Sequence, residues 1–483
     1  MTFLPVFITG TFVFSQPLSS YQAKVKIIFN GTAASTQIEK SPLKYNKDFA
    51  YSFTFDDGKE DAYTNVYPLF SGGVIQEKNM QLPGLFFSDG CGNKIPFKGG
   101  LAINSVNSVN FDPHEGTPES ITWDQVRELY SKGWNVFNHS FNHSHGPGTN
   151  YAYQVTENTN YLKSKTGITT SHFVVPSGDT NYVPAAFANG MKAVYNQQSN
   201  FPGADGIKVD GAIDLTNFKL YRRFISDENY NSTNIREKID LIASQSSATN
   251  HLWFTDFTHN VSFESKGGSV VFSTFQNYMN YIESTYGVKG ADNIWMAPLQ
   301  EVYEYLLVRE GINYSTEISQ DTLIVYLDFS SISEDLNNYS LSFNINSPQD
   351  ITNIVAENLE DFSFKGQGSD KILNITWKKS SGITPVLSPA YVNPCYKENH
   401  SIVSNNGNKE IKINMGGTPG ETIDILIYNN LGNLLHWAKH VSNGQQQDIL
   451  IDAPHKFTSP GIYIVKILRE KMNCEYIKKI VIY

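Results

Sequence analysis

The sequence has few cysteines, no basic cluster and no long apolar run after its first 20 residues. Only three cysteines occur in 483 residues, Cys91, Cys395 and Cys474. That is too few for a disulfide scaffold, and the odd number leaves at least one unpaired, although Cys395 and Cys474 could pair within the last domain. With a formal net charge of −10 and no Lys/Arg cluster, we expect no nucleic-acid partner. We also expect no transmembrane span.

The first 20 residues contain an apolar run from Leu4 to Phe14, followed by Ser15 and Gln16. This run is too short to span a membrane but fits the apolar core of a secretory signal. The basic start of such a signal is missing, because the first lysine is Lys24. We predict a signal peptide at 1–20; the alternative is the first strand of the mature protein.

The chain is too long for one ordinary core, so we expect two or three domains. Hydrophobic residues make up 40% and the mean hydropathy is −0.32, values typical of a globular protein. The 27 tyrosines and 30 phenylalanines suit either sugar-stacking surfaces or β-rich cores.

The segment Tyr51–Gly58 reads Tyr-Ser-Phe-Thr-Phe-Asp-Asp-Gly. Its aromatic residues alternate with small polar ones, which predicts a half-buried strand that ends on two carboxylates and a glycine. Successive strand side chains point to opposite faces, so Asp56 and Asp57 have different roles. One can bind a metal while the other stays free as a base; an ordinary strand-to-loop turn is the alternative.

A second strand-like segment ends on His139, and His143 follows four residues later. A helical turn there would put both imidazoles on one face. Two histidines and one carboxylate, here Asp57, form a three-ligand site with an open position, as in catalytic zinc sites. His145 is either a spare ligand or a solvated neighbour.

Thr54–Gly58 and His139–His143 resemble the first two motifs of the polysaccharide deacetylases, the NodB-like domain of carbohydrate esterase family 4. The resemblance covers roughly residues 45–310. It implies a distorted (β/α) barrel that removes acetyl groups from sugars with a bound divalent metal. Zinc is the expected ion, with cobalt and nickel as alternatives.

The family's third motif, Arg-x-Pro-Tyr-Gly, is matched by Pro176 and Gly178, with Ser177 at the tyrosine position. The resemblance gives the Ser177 N–H the role of holding the oxyanion. Val174 stands where the family has an arginine that orients the catalytic aspartate. Either Arg222 or Arg223 could replace it from a neighbouring strand, or both could be surface arginines paired with acidic residues that follow them.

The segment from 251 ends on His259 and resembles the last strand motif of the family, which would make His259 the general acid. A core or capping histidine is the alternative. Trp295, in the expected closing strand, either lines a sugar site or packs in the core. No fourth motif is found, and the long stretch between Asp57 and His139 predicts an inserted loop or hairpin that shapes the cleft.

The texture changes after residue 311 to short strands with polar turns, which predicts a small β-sandwich. The final segment resembles the C-terminal sorting domain of the type IX secretion system of Bacteroidetes. It shares with that domain Val392–Pro394, a Tyr-Asn-x-x-Gly turn and a Gly-Ile-Tyr strand. The fold class is therefore α/β, a barrel followed by two all-β sandwich domains. The predicted boundaries are 1–20 signal, 21–310 deacetylase, 311–379 spacer or accessory module, 380–394 linker and 395–483 sorting domain.

Together these features predict a secreted or surface-attached hydrolase that removes N-acetyl groups from a glycan rich in N-acetylglucosamine, such as chitin or peptidoglycan. In this scheme Asp56 is the base and His259 the acid. The expected partners are the acetylated polysaccharide and the type IX secretion machinery. Two alternatives stay open, an O-acetyl esterase acting on xylan-type glycans and a glycan-binding protein whose catalytic site has decayed.

Overall fold

The computed structural model describes residues 18–377 without a break. Contacts divide the chain into two units, 1–386 and 387–483. Of the second unit the structure describes mainly strands: Asn393–Pro394, Ser401–Asn405, Glu410–Met415, Thr422–Asn429, Leu434–Val441, Gln447–Asp452, Gly461–Arg469 and Cys474–Ile482.

A curled, mostly parallel sheet forms the centre of the first unit. Apolar residues, many of them aromatic, dominate its strands, as expected where helices cover a parallel sheet. Its strands, in chain order, are β1 (Phe49–Phe55), β2 (Gly100–Ile103), β3 (Asn135–Asn138), β4 (His172–Val174), β5 (Ala193–Asn196), β6 (Ile207–Lys208), β7 (Phe218–Tyr221), β8 (Arg223–Phe224), β9 (Leu252–Thr258) and β10 (Ile294–Met296).

The sheet curls until its ends meet along residues 218–224. β7 pairs with β5, whereas β8, one residue further along the chain, pairs with β9. β9 pairs along its whole length with β1, which continues to β2, β3 and β4. This mixed α/β arrangement is consistent with the expected distorted barrel.

Seven α-helices lie among the described residues. The second has a complete capping box, in which Thr122 and Gln125 each accept the other's backbone N–H, so its start is fixed by sequence. The helices are α1 (Tyr67–Ser71), preceded by a π-helical turn (Ala62–Val66), α2 (Trp123–Ser131), α3 (Tyr151–Thr166), α4 (Tyr182–Ala188), α5 (Asn234–Gln245), α6 (Phe272–Tyr286) and α7 (Leu299–Gly311).

The strand β1 is buried along its whole length, so the prediction of a half-buried strand is wrong. β9 lies on one side of it, and β10 and β2 lie on the other. The alternation of aromatic and small residues reflects two kinds of buried surroundings. Phe53 packs edge-on against Phe275 of α6, whereas Ser52 accepts a hydrogen bond from the indole of Trp253.

The inserted segment between β1 and β3 contains two short hairpins before β2. Gly73–Ile75 pairs with Met80–Leu82, and Phe86–Ser88 pairs with Lys94–Pro96. After β2, residues 104–121 form an irregular loop that leads into α2. The prediction of an insertion with hairpins in this stretch is confirmed.

The strands that follow the barrel form two four-stranded sheets together with the N-terminal residues. Gln22–Phe29 pairs with Thr322–Asp328 and with Ile351–Glu357, and Gln37–Lys40 pairs with Ser340–Asn346. The boundary predicted at residue 21 is therefore wrong, because residues 22–40 belong to these sheets and not to the barrel. The remaining strands of the two sheets are Asn313–Ser319, Asp361–Lys365 and Lys371–Thr376.

The second unit contains a five-stranded and a three-stranded sheet among its described strands. The predicted signal core at 4–14, the linker up to 392 and Cys395 lie outside the described residues, so the pairing of Cys395 with Cys474 stays a prediction. Within the described part of the chain, the helices all lack the length and apolar content of a membrane span.

Candidate metal centre and active site

The chemically distinctive residues lie where parallel strands end. Asp56 and Asp57 follow β1, His139 follows β3, and His259 follows β9. Because parallel strands run the same way, their carboxyl ends share one edge of the sheet, the usual place for active sites in α/β folds.

Asp57, His139 and His143 converge at this edge. The Nε2 atoms of the two histidines each lie 3.4 Å from Asp57 Oδ1. One ligand atom from each of the three residues lies within 4.8 Å of the other two. These three residues, here called the metal triad, are the candidate ligands that the sequence names, and the structure brings them together.

The loop that carries the histidines is shaped by two residues with positive φ, Ser140 (φ 68°) and His143 (φ 59°). The helical turn that would have put both imidazoles on one face is not formed here. Asn138 accepts the backbone N–H of Ser140, and Ser140 Oγ accepts that of His143. This tight loop, rather than a helix face, brings the two imidazoles together.

The donor set fits a divalent cation. Nδ1 of His139 lies 2.9 Å from the carbonyl oxygen of Val174, so Nδ1–H donates and Nε2 is left to face the Asp57 carboxylate. Asp57 Oδ1 is buried and has no hydrogen-bond donor among the described residues. A buried acceptor that faces further acceptors is costly unless a positive charge lies between them.

The pKa shifts point in the same direction. Burial alone would raise the pKa of Asp57, but the imidazoles of His139 and His143 hold it below its usual value. Burial and the neighbouring His139 lower the pKa of His143 to about 4. Burial lowers the pKa of His139, but Asp57 outweighs this and raises it, since a positive charge is favoured at Nε2. A bound cation meets the same demand.

Asp56 is held by Arg222 in a bidentate pair. Arg222 Nη1 lies 2.8 Å from Asp56 Oδ1, and Nη2 lies 2.9 Å from Oδ2. Both side chains are almost fully buried, and Nη1 also donates to Thr54 Oγ1. Burial alone would raise the pKa of Asp56, but the guanidinium outweighs it and lowers the pKa. Arg222 is thus the arginine that holds the Asp56 carboxylate.

Arg223 does not reach the metal triad, so its predicted place in the site is wrong. Its Nε and Nη2 donate to Asp256 at 2.8 and 2.9 Å. Asp256 also accepts from the hydroxyls of Tyr51 and Tyr278. The alternative of two surface arginines is wrong as well, because both are buried.

His259 lies next to Asp56 across the β1–β9 pair. The Asp56 N–H donates to the carbonyl oxygen of Thr258, the residue before His259. Nδ1 of His259 lies 3.1 Å from the carbonyl oxygen of Gly268, and its ring packs edge-on against Phe224 and Phe257. Because Nδ1–H donates to that carbonyl, Nε2 is the ring nitrogen available for proton transfer.

Pro176, Ser177 and Gly178 form a 3-10 turn at the end of β4. Ser177 has a left-handed backbone (φ 50°) and an exposed side chain. Its Oγ lies 3.4 Å from Nδ1 of His145, and the ring centroids of His145 and His143 are 6.0 Å apart. His145 is thus a neighbour of the metal triad and not one of the three converging ligands.

Trp295 is fully buried in β10 and packs edge-on against Tyr305 of α7. It belongs to the core, so its prediction as a residue that lines a sugar site is wrong.

The sequence analysis does not identify His114. This residue, in the loop of residues 104–121, packs against the turn formed by Asp56, Asp57 and Gly58. Its Nδ1 lies 2.6 Å from the Ile121 carbonyl and its Nε2 lies 2.9 Å from the Asn104 carbonyl. A Cβ on Gly58 would lie only 2.6 Å from His114 Cε1, and Gly58 has φ 58°. Only glycine fits there. A buried histidine inside an insertion gives no sequence signal that points to Gly58.

Two family models match the chain. Residues 44–194 match the polysaccharide deacetylase model, and residues 405–483 match the secretion system C-terminal sorting domain model. None of the curated proteins compared with the chain matches it.

Three solved structures illustrate the weaker likenesses. The Streptococcus pyogenes deacetylase PplD in complex with acetate has 18% identity, 30% of this chain and 54% of that chain covered, and a TM-score of 0.22. The Xyl-CE4 domain of a multidomain xylanase from the Trinervitermes trinervoides hindgut metagenome is 12% identical. The match covers 55% of this chain and 92% of that chain, with a TM-score of 0.28. The Bacillus subtilis peptidoglycan deacetylase PdaC is 11% identical. The match covers 54% of this chain and 93% of that chain, with a TM-score of 0.28.

This chain spans about half of the streptococcal structure. The family models carry the likeness of this chain to known proteins. The sorting domain marks the chain for export and for secretion or attachment at the cell surface. By these models, the chain combines a segment of the polysaccharide deacetylase family at 44–194 with a secretion sorting domain at 405–483.

Proposed function

We propose that the chain is a metal-dependent deacetylase that removes N-acetyl groups from a glycan containing N-acetylglucosamine, such as chitin or peptidoglycan. The convergence of Asp57, His139 and His143 on one point carries this proposal. A set of two histidines and one carboxylate is typical of a catalytic zinc site.

In the proposed site these three residues hold the ion, and zinc suits two imidazoles and one carboxylate, with cobalt or nickel as alternatives. When bound, the ion supplies Lewis-acid polarisation of the acetyl carbonyl. The remaining chemistry belongs to groups of the chain that surround this point.

Asp56 is the general base that accepts a proton from the attacking water. Among the described residues, the side chain that donates to its two oxygens is Arg222 alone. Each carboxylate oxygen has two lone pairs, so capacity is left for that proton. The bidentate contact fixes the orientation of the carboxylate, which proton transfer requires.

His259 donates the proton that the leaving sugar amine takes up, through Nε2, because Nδ1 is held by the Gly268 carbonyl. The backbone N–H of Ser177, on the turn Pro176–Gly178, stabilises the oxyanion of the tetrahedral intermediate. Arg222 also bears on the decayed-site alternative. That alternative was motivated by the missing arginine, and the bidentate pair with Asp56 speaks for a working base.

The parts outside the barrel receive separate proposals. We propose that residues 22–40 and 313–376 form one accessory β-sandwich. Their strands pair with each other although the barrel domain lies between them in the sequence. We further propose that the strands from 401 to 482 form a sandwich read by the type IX secretion machinery, and that residues 1–20 are a signal peptide.

Metal content tests the proposed site directly. We expect wild-type protein to bind about one zinc ion per chain, and His139→Ala or Asp57→Asn to lose both the ion and the activity. Asp56→Asn is the matched control, since it should keep the ion and lose activity. Full activity in thoroughly chelated protein would refute the metal-dependent scheme.

A panel of acetylated substrates separates amide from ester chemistry. Zinc-dependent acetate release from chitin oligomers or peptidoglycan supports N-deacetylation. Release from acetylated xylan alone would assign the site to O-acetyl esters. Metal-loaded protein that binds these glycans but releases no acetate would favour a binding protein.

A further inference from the structure

The loop of residues 104–121, here called the inserted loop, lies between the two segments that carry the metal triad. The backbone N–H of Val106 donates to Phe141, and Asn142 Nδ2 lies 2.9 Å from Asn110 Oδ1. On its other side, the N–H of Ile121 donates to the Gly58 carbonyl. The loop therefore contacts the chain directly beside both Asp57 and His143.

The tip of the inserted loop is a closed turn. Asn107 Oδ1 accepts the backbone N–H groups of Val109 and Phe111. In addition, the Asn107 N–H donates to the Phe111 carbonyl, and the Asn110 N–H donates to the Asn107 carbonyl. Hydrogen bonds of this kind fix a turn locally. Little conformational entropy is then lost when the tip binds a ligand.

This ordered tip presents apolar side chains to solvent. Val109 is 77% exposed and Phe111 is 55% exposed. Tyr153, in the first turn of α3, is 48% exposed and packs edge-on against Phe141. Single exposed apolar residues are ordinary, but a group of them marks an interaction surface.

The grouping is not general to the molecule. Six large apolar side chains are clearly exposed among the described residues. Three of them adjoin the loop of residues 139–143, since the tip bonds to Asn142 and Tyr153 packs against Phe141. The others, such as Leu241 and Ile318, lie on separate elements.

We propose that Val109, Phe111 and Tyr153 form a docking surface for the acetylated glycan. This surface would contact neighbouring sugars of the glycan rather than the sugar whose acetyl group is removed. A pyranose ring has a face of C–H groups that packs against an aromatic ring, while its hydroxyls stay in water. The occupant is assigned from the continuity of this surface with the metal triad through Asn110 and Asn142. This inference rests on the proposed function, since it concerns the substrate of the same site.

The test compares Phe111→Ala and the double variant Val109→Ser/Phe111→Ala with wild type on a chitin hexamer and on a small acetyl ester. We expect the single variant to raise KM for the hexamer about three- to tenfold with kcat unchanged. The small ester, which is too short to reach the surface, should be hydrolysed at the wild-type rate. Ile318→Ala, at a residue 43% exposed in the strand Asn313–Ser319, is the matched control and should change neither.

If the double variant keeps the wild-type KM on every glycan that wild type deacetylates, the proposed docking surface is wrong. If wild type deacetylates no glycan, the proposed function fails. The docking surface is then tested by calorimetric binding of the hexamer or of soluble peptidoglycan fragments. Binding by wild type that weakens in Phe111→Ala supports the surface, whereas equal binding or none by wild type overturns it.

Discussion

Two adjacent arginines make the same kind of contact in two different parts of the barrel. Arg222 forms a bidentate pair with Asp56, and Arg223 forms one with Asp256. Arg222 contacts Thr54 of β1 near the carboxyl edge of the sheet, whereas Arg223 contacts Tyr278 of α6 and the Ile235 carbonyl of α5. Side chains of neighbouring residues in an extended chain point in opposite directions, which explains the division.

The two aspartates differ in how far their oxygens are used. Asp256 accepts from Arg223 and also from the hydroxyls of Tyr51 and Tyr278. Asp56 accepts from Arg222 and, within the described residues, from no second side chain. The saturated pair suits a structural role, because every buried polar atom is satisfied. The unsaturated pair keeps room for a proton and lies beside the metal triad.

Asp56→Asn should have the largest effect on activity. The amide has almost the same shape but cannot take the proton from water, so we expect kcat to fall about 10²- to 10⁴-fold. Acetate release measures the loss, and zinc content should stay at the wild-type level. Near-normal kcat in this variant would show that another group is the base.

Arg223→Met should have the largest effect on stability. It leaves the Asp256 carboxylate buried without its cation, so the free energy of unfolding should fall by about 3 to 5 kcal/mol. Denaturant unfolding measures this, and kcat of the protein that remains folded should be close to wild type. A large fall in kcat with unchanged stability would reverse the roles assigned to the two arginines.

Arg222→Lys should lower kcat about tenfold to 100-fold, because a lysine cannot hold both oxygens of Asp56 and the base loses its orientation. Arg223→Lys is the matched control and should lower stability with little effect on kcat. Added guanidinium should restore part of the activity of Arg222→Ala. The comparison fails if both lysine variants lower kcat equally.

Tyr278→Phe should have the smallest effect. It removes one of the hydrogen bonds to Asp256, so we expect about 1 kcal/mol less stability and unchanged kcat. Thermal and denaturant unfolding measure the difference. A loss larger than that of Arg223→Met would mean that the tyrosines, rather than the arginine, hold Asp256.

The metal triad could be predicted from sequence because its signals are local. Asp57 and His139 lie within two residues of the ends of β1 and β3, and His143 follows in the same loop as His139. Parallel strands place such positions at one edge. The choice between Arg222 and Arg223 could not be made, because it depends on the pairing of β8 with β9, in which Arg223 lies opposite Asp256. Both arginines have the same chemistry and nearly the same sequence position.

Long-range pairing also explains the wrong domain boundary. The strand Gln22–Phe29 pairs with Thr322–Asp328, almost 300 residues away, and nothing in either segment specifies that partner. The half-buried prediction for β1 failed for a related reason. Alternation predicts one solvated face, whereas both faces of β1 are buried.

Acetate release from a chitin hexamer, measured on chelated protein before and after zinc is restored, tests the central claim most directly. The account predicts no release from the chelated protein and full recovery at about one zinc ion per chain. Release that is the same with and without zinc would contradict it.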